Sequence, residues 1–385
     1  MRIAIDLTSL PTQLVGVGSY AKNLITSLKK FDTENQYFIF VKREHSNVFS
    51  INQNNINIIY QKNILRNKIL RVLWEQIILP LYIKRLKIDL LHSIHYTIPL
   101  FAGCKVVATF HDMTFFLYPQ KHIFIKRIFF KLFIRISSWK ANRIIAVSES
   151  TKKDIIKFLG VSNKIDVVYE AVDSKYHPFK NESMASIIMR KYGIFNKFIL
   201  YVGTLEPRKN IVRLIQAYYN LIFKNNITHQ LVIVGKKGWY YQEIFKIVDE
   251  LGLNKEKQRV IFTGYVPDDE LLFLYNAADF FVYPSLYEGF GIPPLEALAC
   301  GVPVISSNIS SLPEVIGDAG MLIDPYNVQE ISQAMFEMLK NHKKKVQFKI
   351  KGLKRAEKFS NEKIAEGTIK VYKKTMQEGN KLYET

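Results

Sequence analysis

Glu288-Gly-Phe-Gly-Ile-Pro-Pro-Leu-Glu296 runs on into Ala297-Leu-Ala-Cys-Gly-Val-Pro-Val-Ile305. Two glutamates stand eight positions apart, across a Gly-Phe-Gly turn and the start of a helix. An apolar strand ending at Val282 and Tyr283 leads in. A second, Val302 to Ile305, follows Gly301-Val-Pro303. Strand, turn, helix and strand in quick succession belong to a parallel α/β sheet. Glu288 then lies at the carboxyl end of a strand. Glu296 lies about two helical turns on, since eight residues nearly fill two periods of 3.6. Both can face one crevice at the strand ends, where such sheets bind ligands. A carboxylate only accepts hydrogen bonds, so two acids without metal partners suit the hydroxyls of a sugar or a ribose. The plainer reading of such a pair is a helix start with acids near its positive end.

Around this stretch the chain alternates. Apolar runs at Ile3–Leu7, Tyr37–Val41, Ile56–Tyr60, Leu90–Ser93, Val106–Phe110, Arg143–Val147 and Ile165–Val168 predict strands, with helical patterns between them. His177-Pro-Phe-Lys-Asn-Glu-Ser is polar with a proline and reads as a linker. A second series follows at Phe198–Val202, Leu231–Val234, Arg259–Phe262, Phe280–Tyr283, Val302–Ser306 and Met321–Ile323. With 385 residues, two doubly wound domains facing a cleft are expected. Ser360-Asn-Glu362 opens a terminal helix with a good cap residue.

Composition narrows the class. The longest uncharged apolar run, Ile77 to Ile83, is far short of the ~20 residues of a membrane span. Met1-Arg-Ile-Ala-Ile-Asp6 does not read as a signal peptide, because Asp6 interrupts the apolar region. Two cysteines, Cys104 and Cys300, imply no disulfide framework and fit a reducing cytosol. The net charge of +20 is unevenly placed. Met113 to Ser148 holds no acid but contains Lys121, Lys126, Arg127, Lys131, Arg135, Lys140 and Arg143. Arg127, Lys131 and Arg135 share a helix face, with Ile125, Phe129, Leu132, Phe133 and Ile136 expected opposite. Lys62 to Lys87 is a second basic, apolar stretch with Glu75 as its only acid. Such helices suit an anionic membrane surface, or are ordinary packed helices with a solvated rim. Nucleic-acid-binding motifs are absent from the sequence.

One turn points to phosphate, and a second fits a nucleotide pattern only loosely or is a simple helix-entry turn. Tyr201-Val-Gly-Thr-Leu-Glu-Pro-Arg-Lys-Asn210 follows a strand and opens a helix, so backbone N–H groups and a positive dipole end face one anion, with Arg208 and Lys209 adding full charges. Gly16-Val-Gly-Ser-Tyr-Ala21 fits the loose dinucleotide pattern. Its glycines come eight residues after the strand, though, which argues against a dehydrogenase. His111 and Asp112 follow the strand ending at Phe110, at a carboxyl edge.

The 288–305 block resembles the signature of the family-4 retaining glycosyltransferases: two Glu with seven residues between, then Ala-(Leu/Met)-Ala-x-Gly-x-Pro-Val. Tyr201 to Asn210 is similar to that family's phosphate loop, and Phe262-Thr-Gly-Tyr-Val-Pro-Asp-Asp-Glu-Leu271 to its nucleobase-side turn. Gly16 to Tyr20 and Phe110 to Asp112 are similar to its amino-terminal elements. The resemblance spans nearly the whole chain and implies a GT-B fold. Residues 1–178 would form the acceptor-side domain, 179–355 the nucleotide-sugar domain, and 356–385 a helix returning to the first.

It also implies roles. Glu288 and His111 would be catalytic, Glu288 at the donor sugar's hydroxyls with the N–H groups of Phe290 and Gly291 assisting. Gly16, Gly18, Gly203, Thr204, Arg208 and Lys209 would lie at the donor's phosphates. Tyr265 and Val266 would flank the base, and Glu296 would hold the ribose. Relatives often carry Arg where this chain has Thr204, which leaves the division of labour between Arg208 and Lys209 open. No Asp-x-Asp occurs, so no metal is expected, nor any other cofactor.

The implied activity is retaining hexosyl transfer onto a lipid-linked or surface-polysaccharide acceptor. The protein would sit in the cytoplasm, peripheral on the inner face of the membrane. The loop forms most resemble mannosyltransferases of bacterial surface-polysaccharide assembly, so GDP-mannose is the expected donor. dTDP-rhamnose, UDP-glucose and UDP-GlcNAc are the alternatives, and a nucleotide-sugar epimerase of the same fold is another.

Overall fold

The structure is a computed structural model that describes residues 1–14, 16–50, 53–118, 124–225, 227–255 and 258–380. Branched and aromatic residues in continuous runs form thirteen strands among these residues, all paired in parallel. Strands buried on both faces need no polar alternation, which is why the runs are unbroken. The first sheet holds β1 (Arg2–Asp6), β2 (Gln36–Lys42), β3 (Ile56–Gln61), β4 (Leu90–Ser93), β5 (Lys105–Phe110), β6 (Arg143–Ala146) and β7 (Ile165–Val167). Their order is β3-β2-β1-β4-β5-β6-β7. The second holds β8 (Phe198–Val202), β9 (Gln230–Val234), β10 (Val260–Gly264), β11 (Phe280–Tyr283), β12 (Val304–Ser307) and β13 (Met321–Ile323), in the order β10-β9-β8-β11-β12-β13. Each expected strand is present within two residues at either end. The one from Val302 starts late because Pro303 has no N–H to give the ladder; its carbonyl instead accepts from Phe281 N at 2.9 Å.

Two compact units result. One comprises residues 1–171 with the carboxy-terminal segment from Asn361; the other is Val172–Ser360. Residues 172–178 go with the second unit for a physical reason. Tyr176 packs edge-on against Tyr275 at 5.6 Å, and Lys175 pairs with Asp268 at 2.6 Å.

The helix Asn361–Asn380 belongs to the first unit, as its buried face explains. Tyr372 is fully buried, and its hydroxyl lies 2.7 Å from His92 Nδ1. Burial draws His92 down to about 3, so the ring is neutral, and its Nε2 meets Thr109 Oγ1 at 2.7 Å. Arg143, buried, pairs with Asp166 on β7 and with Glu378 on this helix.

The basic segments differ from the expected pattern. In the helix Phe124–Lys140, Ile134, Ser137 and Ser138 form the buried face, while Leu132 and Ile128 are about half exposed. The apolar side opposite Arg127, Lys131 and Arg135 is therefore not the buried side. Side chains of Ile125 and Lys126, and all of Lys121, lie outside the described residues. Residues 62–87 form a helical track: Lys68–Leu73, a π turn over Trp74–Ile78, then Leu79–Arg85. Among the described residues no helix is long and apolar enough to cross a membrane.

Candidate active site

In the second sheet the chain winds outward from β8 through β9 to β10, then returns to β11 on the other side of β8. The loops after β8 and β11 leave in opposite directions at that reversal, where open α/β sheets take their ligands. These two loops carry Arg208, Lys209 and Glu288. Arg208 O accepts from Leu286 N at 2.8 Å. Asn210, held at φ 61°, reaches Pro284 O and Pro325 O at 2.9 and 2.7 Å.

Glu288 is the centre of the cluster. Its Oε1 receives Lys209 Nζ at 2.6 Å, Ser285 Oγ at 2.5 Å and Tyr283 Oη at 3.0 Å; its Oε2 receives Arg208 Nη1 at 3.0 Å. That is close to the full accepting capacity of a carboxylate. Burial would lift the Glu288 carboxyl, but Lys209 and Arg208 overcome this and hold it at about 2. Burial also draws the Lys209 ammonium below its ordinary value, against the pull of Glu288. Arg208 has a second acid, Glu206, whose Oε1 takes Nε at 3.0 Å and Nη2 at 2.7 Å. Ser310 and Ser311, after β12, fix the backbone beneath. Ser310 Oγ accepts from Glu288 N at 3.1 Å, and Ser311 Oγ donates to Phe290 O at 2.6 Å.

The 203–209 loop lies against the 235–238 loop after β9. Gly203 N donates to Val234 O and Leu205 N to Lys236 O, both at 2.9 Å. A Cβ on Gly235, at φ 151°, would stand 2.0 Å from Gly203 O, so only glycine permits this approach. A Cβ on Gly203 would stand 2.7 Å from the Tyr201 hydroxyl. Tyr201 is fully buried and stacked on Tyr283 at 5.7 Å. Its hydroxyl has no hydrogen-bond partner among the described residues.

The other expected residues fall in three places. Glu296, on the helix Ile292–Ala299, is part-buried and accepts from Tyr275 Oη at 2.9 Å rather than joining the Glu288 cluster. Burial pushes its carboxyl up to about 8. Phe290 is buried, and Gly291, at φ 118°, sits where a Cβ would strike Leu312 at 2.8 Å. Thr204 lies beside Gly238, with Cγ2 2.8 Å from where a Cβ on that glycine would be. At the end of β10, Tyr265 is half exposed and Val266 buried.

His111, Gly16 and Gly18 are in the first unit. His111 is buried; its Nε2 lies 2.9 Å from Ile94 O and its Nδ1 3.3 Å from Glu170 Oε1, so both nitrogens are engaged within that unit. Gly16, at φ 57°, caps the helix Val17–Phe31. Gly18 lies in its first turn, where a Cβ would touch Leu14 at 2.9 Å. The first sheet has its own reversal between β1 and β4. Nearby, buried Glu75 accepts from Arg71 Nη1 at 2.5 Å and from Thr97 Oγ1 at 2.7 Å.

Sequence reasoning missed Tyr201, Tyr283, Ser285, Ser310, Ser311, Glu170 and Gly235. Gly235 alone carried a signal, a glycine directly after the apolar run Leu231–Val234.

Residues 184–355 match the family model described as "Glycosyl transferases group 1", and residues 15–176 the one described as "Glycosyltransferase Family 4". "O-antigen chain mannosyltransferase B" of Escherichia coli is 36% identical over 271 residues, 70% of each chain. "Serotype-specific mannosyltransferase WbdA" of Escherichia coli is 31% identical over 74% of this chain, which spans only 36% of that longer protein. Among solved structures, HepE of Anabaena in complex with UDP and glucose superimposes with a TM-score of 0.75 at 18% identity, covering 97% of this chain and 100% of that one. WaaG, a glycosyltransferase involved in lipopolysaccharide biosynthesis, gives 0.71 at 17% identity, with 95% and 98% covered.

Proposed function

The chain belongs to the group 1 glycosyl transferases, and on that footing we propose that it is a retaining, metal-independent hexosyltransferase moving mannose from GDP-mannose onto a lipid-linked or surface-polysaccharide acceptor. The observation that carries the donor side is the pairing of Arg208 and Lys209 around Glu288 at the reversal of the second sheet. Two cations beside a carboxylate suit a diphosphate joined to a polyol. Mannose is supported by the relatives' names alone.

In this reading Arg208 and Lys209 offset the charge of the departing diphosphate. Glu288 accepts from the sugar's hydroxyls in the place that Arg208 leaves as it turns to the diphosphate, with the Phe290 and Gly291 N–H groups beside it. Gly203 and Thr204 bring backbone to the phosphates, Tyr265 and Val266 flank the base, and Glu296 takes the ribose. Gly16 and Gly18 are read as donor-binding and His111 as catalytic. The acceptor oxygen bonds to the anomeric carbon as the carbon–phosphate-oxygen bond breaks, and the acceptor's proton passes to the leaving phosphate oxygen on the same face.

A thermal-shift screen of GDP, UDP, dTDP and their sugars tests this. A nucleotide at a hundred times its dissociation constant adds about 2.7 kcal/mol. GDP-mannose is expected to give the largest shift. A larger shift from a UDP or dTDP sugar overturns the donor, and no shift from any overturns the donor site.

The acceptor side is supported by an apolar stripe on the first unit. Ile69, Leu73, Ile77 and Leu81 recur every fourth residue along residues 68–85, each between 49% and 72% exposed. Spacing of four drifts around a straight helix, and the wider turn at Trp74–Ile78 reduces that drift. Lys68, Lys84 and Arg85 are exposed on the same segments, and Lys62 is exposed ahead of them. Gln76, bonded to Ile98 O and Leu100 N, places Phe101, 81% exposed, nearby. Apolar side chains rimmed by cations suit an anionic membrane surface, the inner face of the cell membrane in this proposal. Changing Leu73, Ile77 and Leu81 together to serine is expected to lower binding to anionic phospholipid vesicles on the order of tenfold or more in a sedimentation assay. Unchanged binding overturns the membrane assignment.

A further inference from the structure

At the β8–β11 reversal the reading above gives the Tyr201 hydroxyl no part. It is fully buried under the phosphate loop and has no partner among the described residues, a costly state for a phenol. Its position is tightly imposed: Gly203 must lack a side chain to leave room for it, and Tyr283 stacks on its ring. Burial, with Glu288 and Glu206 as its charged neighbours, keeps the phenol protonated, so it can serve as a donor throughout the ordinary pH range. Yet both acids already hold donors. Glu288 has its four donors. Among the described residues, the Glu206 carboxylate takes hydrogen bonds only from the two arms of Arg208.

A diphosphate changes that balance, because phosphate oxygens compete for the same guanidinium fork. As Arg208 turns to the donor, Glu206 loses both its hydrogen bonds and Glu288 loses one. We propose that Tyr201 is a positioning residue of the donor-bound state, whose hydroxyl takes up a carboxylate of the Glu206–Glu288 pair that the diphosphate strips of Arg208. This rests on the reading of the site as the seat of a nucleotide-diphosphate sugar. The hydroxyl lowers the cost of parting Arg208 from its acids, and so raises donor affinity without touching the donor.

Tyr201→Phe tests the idea, since it removes one oxygen and keeps the ring stack. The wild-type chain is first titrated with GDP, UDP, dTDP and their sugars, and the tightest is carried forward. Melting temperatures without nucleotide and dissociation constants are then compared for the two proteins. The donor-free variant is expected to melt at the same temperature or higher, because a partnerless buried hydroxyl has been removed. Its affinity is expected to fall at least threefold, and on the order of tenfold, as for a lost hydrogen bond to a charged group. A merely structural tyrosine would move both quantities downward together. A lower melting temperature for free Tyr201→Phe, or an affinity within threefold of wild type, overturns the proposal while leaving the donor site standing. Absence of any nucleotide binding by the wild-type chain overturns both.

Discussion

Lys209→Met is expected to lower stability by about 3 kcal/mol and transferase kcat/KM by at least about a hundredfold. The stability loss follows from breaking a buried ion pair from one side, which costs about 3–5 kcal/mol when the remaining charge has no compensation. Glu288 keeps Arg208, Ser285 and Tyr283, so the lower end applies. The loss depends on pH. The folded carboxyl sits at about 2, below its ordinary 4.5, so its stabilising contribution is complete above 4.5 and vanishes as pH falls toward 2. The gap between wild type and variant should close over that window, as read by urea titration at several pH values. The rate effect has another origin, the loss of a cation aimed at the leaving diphosphate. Adding Glu288→Gln to Lys209→Met removes the stranded charge, so the double variant should recover much of the stability and none of the activity. A single variant within 0.5 kcal/mol of wild type, on the scale of an ordinary surface substitution, would mean that the pair is not formed in solution.

Donor affinity is expected to rise on the order of a hundredfold between pH 6 and pH 9. Ribose hydroxyls are donors, and they bind best to an ionised acceptor. With Glu296 pushed up to about 8 by burial, roughly one molecule in a hundred carries the carboxylate at pH 6, about half do at pH 8, and about nine-tenths at pH 9. The sign for stability is opposite. A carboxyl raised in the folded state binds its proton more tightly there, so its contribution is present below 4.5 and is lost as pH rises through about 8. The donor-free protein therefore loses stability over the range in which it gains affinity. Glu296→Gln should flatten both trends. Calorimetric titration with the nucleotide sugar, whose diphosphate bears no terminal group ionising in this range, provides the measurement. A flat affinity profile would remove Glu296 from the ribose.

Much of this architecture was legible in the chain because a parallel sheet writes itself as unbroken apolar runs, and in the second sheet Gly203, Gly235, Gly264 and Pro284 mark where four of them stop. The same logic placed Arg208, Lys209 and Glu288 at strand ends. It could not show that Glu288 is already saturated. Ser285 and Tyr283 look like ordinary strand-end residues until the fold turns both toward one oxygen. Nor could it show that the Tyr201 hydroxyl is stranded, a property of packing and not of pattern. The helix Phe124–Lys140 misled for a different reason. Amphipathic reading assumes that apolar means buried, but Ile128 and Leu132 face outward while Ser137 and Ser138 are enclosed.

The returning helix has a consequence for biosynthesis. His92 meets Tyr372, and Arg143 meets Glu378, across 280 and 235 positions of chain. A ribosome adding 5–20 residues per second needs roughly ten to forty seconds to make the residues between Ala171 and Asn361. Throughout that interval the nascent amino-terminal half lacks its last piece, so the unit translated first is the last to be finished. Premature termination near the 3′ end of the message should therefore injure the half of the protein encoded farthest from it.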